Sequence, residues 1–467
     1  MELIDALSAL LGPSGLLRDA GDIAPYGADW RGLYNHPPRA VLRPADTEQL
    51  AGAVRLCAAA GIPLVPQGGN TSLVAGAVPS AAGREFVLSL NRMDRLRSMD
   101  RQDLSMVVEA GMTLARAQEI AADAGALLPL SISSEGSARI GGVLATNAGG
   151  NNTLRFGNAR DLVLGLEVVL ADGSVWHGLR RLRKDNTGYA LKHLFIGSEG
   201  TLGIIAAAAL RLHPAPRARA TALCALPSVE AVLDLFTRFR DEDDSSIYAF
   251  EYISGPAMEV NLRHVPGGAL PLAGPAPHYA LVELATTRRS GDPRETLELV
   301  LESALEAGAV SDAAIAESES HRIAFWRLRE HLAESQKREG ESIKNDVSVP
   351  VSAVPELLAR AGEMLAGFLP GSRMVAFGHI GDGNIHLNLL QPRGADGPAF
   401  MRHAHEVMER INEIVHRLGG SFSAEHGVGM IKRDAMERFR GGVERGAMRR
   451  IKQALDPHGL FNPGKLF

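Results

Sequence analysis

Cysteine is nearly absent from this chain: Cys57 and Cys224 are the two among 467 residues, and they stand far apart. That excludes a disulfide framework and a thiolate metal centre. No haem-attachment Cys-x-x-Cys-His motif and no iron–sulfur cysteine set occurs, which excludes a c-type haem or an iron–sulfur centre carried by this chain. Long apolar runs are missing too, and nothing approaches the roughly 18–20 residues of a membrane span. The net charge is −5 with no Lys/Arg-rich block, which removes any general attraction to nucleic acid. The segment Met1–Leu7 is acidic and amphipathic, without the basic leader or long apolar core of a secretory signal, so a cytoplasmic enzyme is expected. Neither a Gly-x-Gly-x-x-Gly in a strand-turn-helix context nor a Walker lysine motif is found, which disfavours a Rossmann NAD site and P-loop chemistry.

What is present is a large apolar fraction, 45%, in a chain long enough for two or three domains with a sizeable core. The first half alternates strand-like and helical runs. Ala40–Pro44 and Ile62–Pro66 read as strands around a helix at Thr47–Ala60 capped by Asp46 or Thr47. Further strands at Phe86–Leu90, Ser105–Ala110 and Leu164–Leu170, the last turning at Ala171-Asp172-Gly173, predict a mixed sheet covered by helices. Proline density rises at His213–Pro216, where a domain boundary is expected. The second half, with helices at Ser228–Phe239, Pro293–Ala307, Ser318–Lys337 and Val354–Phe368 and strands at His278–Ala285 and Ile343–Val349, predicts an antiparallel sheet with helices on one side. The fold class expected is α+β.

The most informative stretch is Gly378-His379-Ile380-Gly381-Asp382-Gly383-Asn384-Ile385-His386-Leu387-Asn388. With Asp382-Gly383 as a two-residue turn between apolar runs, residue 379 pairs with 386 and 377 with 388. Cross-strand partners have Cβ atoms about 4.5–5.5 Å apart, close enough for both imidazoles to hold one divalent metal. Ser423-Ala424-Glu425-His426-Gly427-Val428-Gly429 offers a carboxylate and another histidine between small residues. The alternative is that these histidines are hydrogen-bonded core or solvated groups, as most of the fifteen in this chain are expected to be. His403 and His405, two apart on a helical run, read as surface residues.

Three glycine segments fall in the first half: Gly68-Gly69-Asn70-Thr71-Ser72 after a strand, Gly141-Gly142 through Gly149-Gly150, and Gly197-Ser198-Glu199-Gly200-Thr201-Leu202-Gly203. Each alone could be a set of turns. Together they imply close backbone approach to something extended and charged, such as a dinucleotide.

These segments resemble the flavin-binding half of the vanillyl-alcohol oxidase/p-cresol methylhydroxylase superfamily. The histidine hairpin, Glu425-His426 and the terminal Asn462-Pro463 are similar to those of the FAD-linked D-2-hydroxyacid dehydrogenases, the D-2-hydroxyglutarate, D-lactate and glycolate dehydrogenases. The resemblance runs from about residue 37 to the end. It implies a PCMH-type FAD-binding domain at 37–215 after an N-terminal helical segment at 1–36, a substrate domain with the metal site at 216–442, and a segment at 443–467 returning to the flavin domain. It also implies that Pro66, Gly68, Gly69, Asn70, Thr71, Ser72, Gly142, Thr146, Asn147, Gly149, Gly203, Ile204 and Asn462 bind FAD. Asn70 stands where many relatives tether the flavin through histidine, so FAD is expected to be non-covalent. His379, His386 and Glu425 would bind zinc or another divalent ion, with His426 as general base and Asn388 as a supporting donor. Arg329 and Lys344 would anchor an anionic substrate, the lysine pointing to a second carboxylate. Ala333 departs from the pattern, since 2-hydroxyglutarate-specific relatives carry a hydroxyl residue there.

The expected activity is oxidation of a D-2-hydroxy acid, foremost D-2-hydroxyglutarate, with D-lactate or glycolate as alternatives. The electrons would pass to an external acceptor, an electron-transfer flavoprotein or a quinone, and a homodimer is one expected state. Two other classes stay open: a flavin-free zinc hydrolase, which leaves the glycine segments without a use, and a non-catalytic flavoprotein subunit, which would not need both the metal ligands and His426.

Overall fold

A computed structural model describes residues 2–265 and 268–467; Met1, where the expected N-terminal helical segment begins, lies outside them. The chain divides into two compact units, Met1–Gly149 with Gly157–Ala215 and Glu425–Phe467, and Gly150–Phe156 with Pro216–Ala424. The return to the first unit therefore starts at Glu425 rather than at residue 443. Among the described residues no helix is long and apolar enough to cross a membrane.

The first unit holds two main sheets where one mixed sheet was expected. In the first, Val41–Leu42, Phe86–Ser89 and Leu64–Gln67 are parallel, with Leu16–Leu17 added antiparallel at the edge. The helix Thr47–Ala59 makes the crossover, its first turn capped by Asp46 accepting from the Gln49 N–H (2.8 Å). The second sheet is antiparallel, in the order Leu96–Asp100, Ser105–Glu109, Ile204–Arg211, Val163–Val169, Val175–Gly178. The separation has a local cause: a turn closed by the Met93 N–H on the Leu90 carbonyl (2.9 Å) redirects the chain between the two. The central strand Ile204–Arg211 is buried almost throughout, so it reads as a continuous apolar run rather than an alternation.

The second unit is built on an antiparallel sheet in the order Asp312–Ile315, Ala218–Leu226, His278–Thr286, Ile247–Ser254, Arg373–Gly378, Asn384–Leu390, Ser342–Ile343, with Asp346–Ser348 also paired to Asn384–Leu390. Helices cover both faces, not one. Cys224, Phe250, Val282 and Leu387 pack with the helices Val229–Asp243, Pro293–Glu306, Val354–Phe368 and Ala404–Arg417. The alternate residues Leu223, Ala249, Leu281 and Phe377 pack with Gly255–His264 and Glu319–Glu330. The reason lies in the strands: neighbouring positions are both apolar, so either face left bare would expose a core-sized surface.

Two expected elements are broken. The run Ser318–Lys337 is two helices, Glu319–Glu330 and Leu332–Glu339, because His331 takes the bridge conformation (φ −82°, ψ −1°). The strand Ile343–Val349 is interrupted at Lys344-Asn345, between Ser342–Ile343 and Asp346–Ser348. Leu281, fully buried at the centre of the sheet, tests the packing. Leu281→Ala should cost about 2–5 kcal/mol, read as a lowered denaturation midpoint of the second unit.

Candidate active site

In the first unit the glycine segments converge. At the end of the strand Leu64–Gln67, a Cβ on Gly69 would lie 1.9 Å from the Ser137 carbonyl oxygen, and one on Gly68 would press on Arg139 and Gly142. A Cβ on Gly200 would lie 2.4 Å from Pro66. Asn70, Asn147 and Asn462 all adopt positive φ (53°, 51° and 46°). Their amides work structurally: Asn70 donates to the Ala28 carbonyl (2.8 Å), Asn147 accepts from the Arg160 N–H (2.9 Å), and Asn462 donates to the Gly76 and Glu199 carbonyls (2.9 and 2.7 Å). Thr146 donates back to the Gly142 carbonyl (3.1 Å), and the Ser72 hydroxyl accepts from the Gly76 N–H (3.2 Å). Among the described residues, the backbone N–H groups of Gly68, Gly69, Asn70, Thr71 and Ser72 have no protein acceptor. A run of unpaired N–H groups in a glycine loop suits a pyrophosphate, so these residues fit FAD.

Glu199 is the buried hinge of this unit. Its carboxylate accepts the N–H groups of Val428 (2.7 Å) and Gly429 (2.8 Å). Burial raises its pKa, and those two hydrogen bonds pull the other way. Gly427 and Gly429 have positive φ (79° and 52°), so the backbone turns directly after His426.

In the second unit the hairpin differs in register from the expectation. Phe377 pairs with His386 and Val375 with Asn388, a shift of two residues. The connection is longer than a two-residue turn: Ile380–Asp382 forms a turn of 3₁₀ helix, entered from Gly378 (φ 150°) and closed by Gly383 (φ 82°). A two-residue shift keeps each side chain on its own face. His379 and His386 therefore remain neighbours, with ring centroids 6.0 Å apart.

The face they share is unusually polar for a buried sheet. Glu251, in the apolar strand Ile247–Ser254, is 1% exposed. Its Oε1 accepts from His379 Nδ1 (2.6 Å) and its Oε2 from Arg329 Nε (2.6 Å). Burial would raise this carboxyl, but the charges and hydrogen bonds of Arg329 and His379 outweigh it and bring the pKa down to about 2. The Arg329 guanidinium also lies over the Phe377 ring (5.0 Å), whose other neighbour is the ring of His386 (5.0 Å). Asn388 donates to Gln336 (2.9 Å) and accepts from the Asn345 N–H (3.2 Å). Lys344 is half-buried, whereas Ala333 is exposed and lies beyond the break at His331.

Asp346 is buried, accepts from Asn384 (3.0 Å) and stands 3.7 Å from His386 Nδ1. Ala424 donates its N–H to the Asp346 carbonyl (3.3 Å), and Glu425 and His426 follow it directly. In the second unit Asp346 and His386 offer a carboxylate oxygen and an imidazole nitrogen, with the His379 ring beside them, and in the first unit Glu425 and His426 offer the same two donor types. Carboxylates and imidazoles are donors suited to a divalent cation such as zinc. His403 and His405 are exposed.

Asp346 and Glu251 were missed from sequence. The signal for Glu251 was there, a lone carboxylate inside an eight-residue apolar strand, which must be paired if buried.

The residues 38–178 match the family model of an FAD binding domain, and 215–466 match that of the C-terminal domain of FAD linked oxidases. The chain belongs to the FAD linked oxidase family. It is 38% identical over 454 residues to a D-2-hydroxyglutarate dehydrogenase of Xanthomonas citri (97% of this chain, 94% of that one). A D-2-hydroxyglutarate dehydrogenase of Stutzerimonas stutzeri is 37% identical (100% and 98% covered), and the mitochondrial one of Bos taurus 36% (99% and 83%). Among solved structures, p-cresol methylhydroxylase with substrate bound has a TM-score of 0.78 at 18% identity, covering 99% of this chain and 96% of that one. An alkyldihydroxyacetonephosphate synthase reaches 0.76 at 17% identity (99% and 84%). This FAD linked oxidase thus has the PCMH-type fold in its flavin unit, with FAD as cofactor.

The loop contact gives a direct test. Gly69→Ala forces a methyl into the Ser137 carbonyl. The purified variant should keep its fold by circular dichroism while its flavin-to-protein absorbance ratio falls well below that of the wild type.

Proposed function

We propose that this FAD linked oxidase oxidises D-2-hydroxyglutarate to 2-oxoglutarate, with a divalent metal held by His379, His386 and Glu425. Asp346, beside His386, joins that ligand set as a residue the hairpin pattern alone did not suggest. The observation that carries the reading is the shared face of the sheet: a histidine hairpin fit for a cation and a nearly buried arginine, tied together through Glu251. The names of full-length relatives in bacteria and in cattle support the substrate.

FAD held by the glycine loops would supply the hydride acceptor, and a divalent ion held by the histidine and carboxylate ligands would supply Lewis acidity toward the substrate hydroxyl. The chain's own residues do the rest. His426 accepts the hydroxyl proton, a task an imidazole can perform near neutral pH. Arg329 binds a carboxylate: its Nε is taken by Glu251, and among the described residues its two Nη groups have no protein acceptor. Lys344 adds a second cation, which a dicarboxylate uses and a monocarboxylate does not. Asn388, fixed by Gln336 and Asn345, offers its remaining amide hydrogen to the substrate. Asn70, by lacking an imidazole, leaves the flavin non-covalent. Reducing equivalents then pass to an external electron-transfer flavoprotein or quinone.

Ala333 favours a second reading within the same chemistry. Without a hydroxyl at that position the enzyme would accept a broader set, D-malate and D-lactate among them.

Anaerobic titration decides between the two. D-2-hydroxyglutarate should bleach the visible flavin band faster than D-malate or D-lactate, and equal bleaching by the L-enantiomer would contradict the assignment. Lys344→Ala should raise KM for D-2-hydroxyglutarate about 10- to 100-fold, the size of one charge-assisted hydrogen bond, with KM for D-lactate little changed. His386→Ala should abolish both zinc uptake and flavin reduction while the flavin content stays near that of the wild type; reduction that survives would rule out the metal.

A further inference from the structure

Resting on that reading, we infer that Glu251 is the positioning residue that couples the metal clamp to the substrate anchor. One carboxylate orients a metal-binding imidazole with one oxygen and the substrate-binding guanidinium with the other.

The geometry allows each oxygen one task. Oε1 is 2.6 Å from His379 Nδ1 and Oε2 is 2.6 Å from Arg329 Nε. An ionised carboxylate only accepts, so both nitrogens must carry protons. For His379 this requires a proton on Nδ1 and leaves Nε2 as the nitrogen that can ligate, any proton there being given up when the metal binds. Metal-binding histidines are oriented in this way by carboxylates behind them. For Arg329 the same contact spends Nε and turns the Nη groups outward.

Phe377 closes the arrangement. The guanidinium lies over its ring at 5.0 Å, and the His386 ring is 5.0 Å away from it, tilted. Arg329, Glu251, His379, His386 and Phe377 form a closed circuit of contacts on one sheet face, completed by the edge-on histidine pair. The anchor and the clamp therefore cannot shift independently. Glu251 touches neither substrate nor flavin in this scheme, so its effect appears through the groups it holds.

Glu251→Gln is the informative variant, because it keeps the shape and replaces one acceptor with a donor. With its oxygen toward Arg329, its NH₂ forces His379 Nδ1 to accept and moves the ring proton to Nε2. In the FAD-loaded full chain, zinc affinity, measured by competition with a chromophoric chelator, should fall about 10- to 100-fold. Flavin content should be unchanged, and KM should rise for D-2-hydroxyglutarate and D-lactate alike. Zinc affinity within about twofold of wild type would overturn the proposal. Glu251→Asp, which restores two acceptors, should recover part of the affinity; no recovery would also count against it.

If Glu251→Gln fails to fold, the wild type still answers. Nitrogen NMR of histidine-labelled, metal-free protein, with the resonance assigned through His379→Gln, should report a protonated Nδ1, and the opposite tautomer would refute the role. These outcomes separate from failure of the functional reading. Wild-type protein that takes up no zinc and is not reduced by D-2-hydroxyglutarate would sink that reading, whatever the tautomer of His379.

Discussion

A carboxylate inside an apolar sheet must be paired, and the second unit is arranged around that constraint. Taking a lone charge out of water costs far more than any packing contact returns. Glu251 and Glu283 sit on neighbouring strands, both nearly unexposed, and both are answered by the same helix, Glu319–Glu330. Arg322 pairs with Glu283 (3.1 Å) and Arg329 with Glu251, two helical turns apart on one face. Trp326, between them, donates its indole N–H to Glu283 (2.8 Å). The helix is thus seated at two polar points with apolar contact between, which fixes its position along the sheet in a way that greasy packing alone does not.

The first unit solves a different problem with different means. Where the second unit binds through charged side chains, the flavin unit presents backbone. Its asparagine amides and its Thr146 and Ser72 hydroxyls are largely spent on the fold, holding loops in left-handed conformations that few residues tolerate. Glu199 repeats the theme on a larger scale, a buried carboxylate that fixes the turn after His426 through two main-chain N–H groups. Cofactor binding here depends on loop shape, and loop shape on a few residues without large side chains.

That difference explains what was legible in the sequence. Caps and helix spans with strong local signals, such as Asp46 before Thr47 or Ser228 before Val229, read directly, because Asp and Ser offer the acceptor the first turn needs. The glycine segments and the histidine pair were also visible, the first because three of them fall in one half of the chain and the second because both imidazoles share one face of a hairpin. Long-range facts were not. The strand Ile247–Ser254 was not read from the sequence, and the strands that were read did not say that helices would cover both faces of the sheet. The pairing of Asp346 with Asn384–Leu390 depends on a partner distant in sequence. The Asp-Gly pair suggested a tight hairpin, yet the chain uses that glycine to close a 3₁₀ turn instead, because Gly383 must pass 2.0 Å from the Val349 oxygen at its Cβ position, where no side chain fits.

The two-residue difference in register bears on how this hairpin avoids folding wrongly. In Asn384–Leu390 the residues Asn384, His386 and Asn388 alternate with Ile385, Leu387 and Leu389, which belong to the opposite core. A slip by one position would drive imidazole and amides into that core and is heavily penalised. A slip by two keeps polar groups polar and apolar groups buried, so hydrophobic patterning barely resists it. Discrimination against that mispairing falls to Gly378 and Gly383, whose conformations admit one loop length. The fidelity with which the chain assembles its chemistry is thereby entrusted to two residues that have no side chain with which to take part in it.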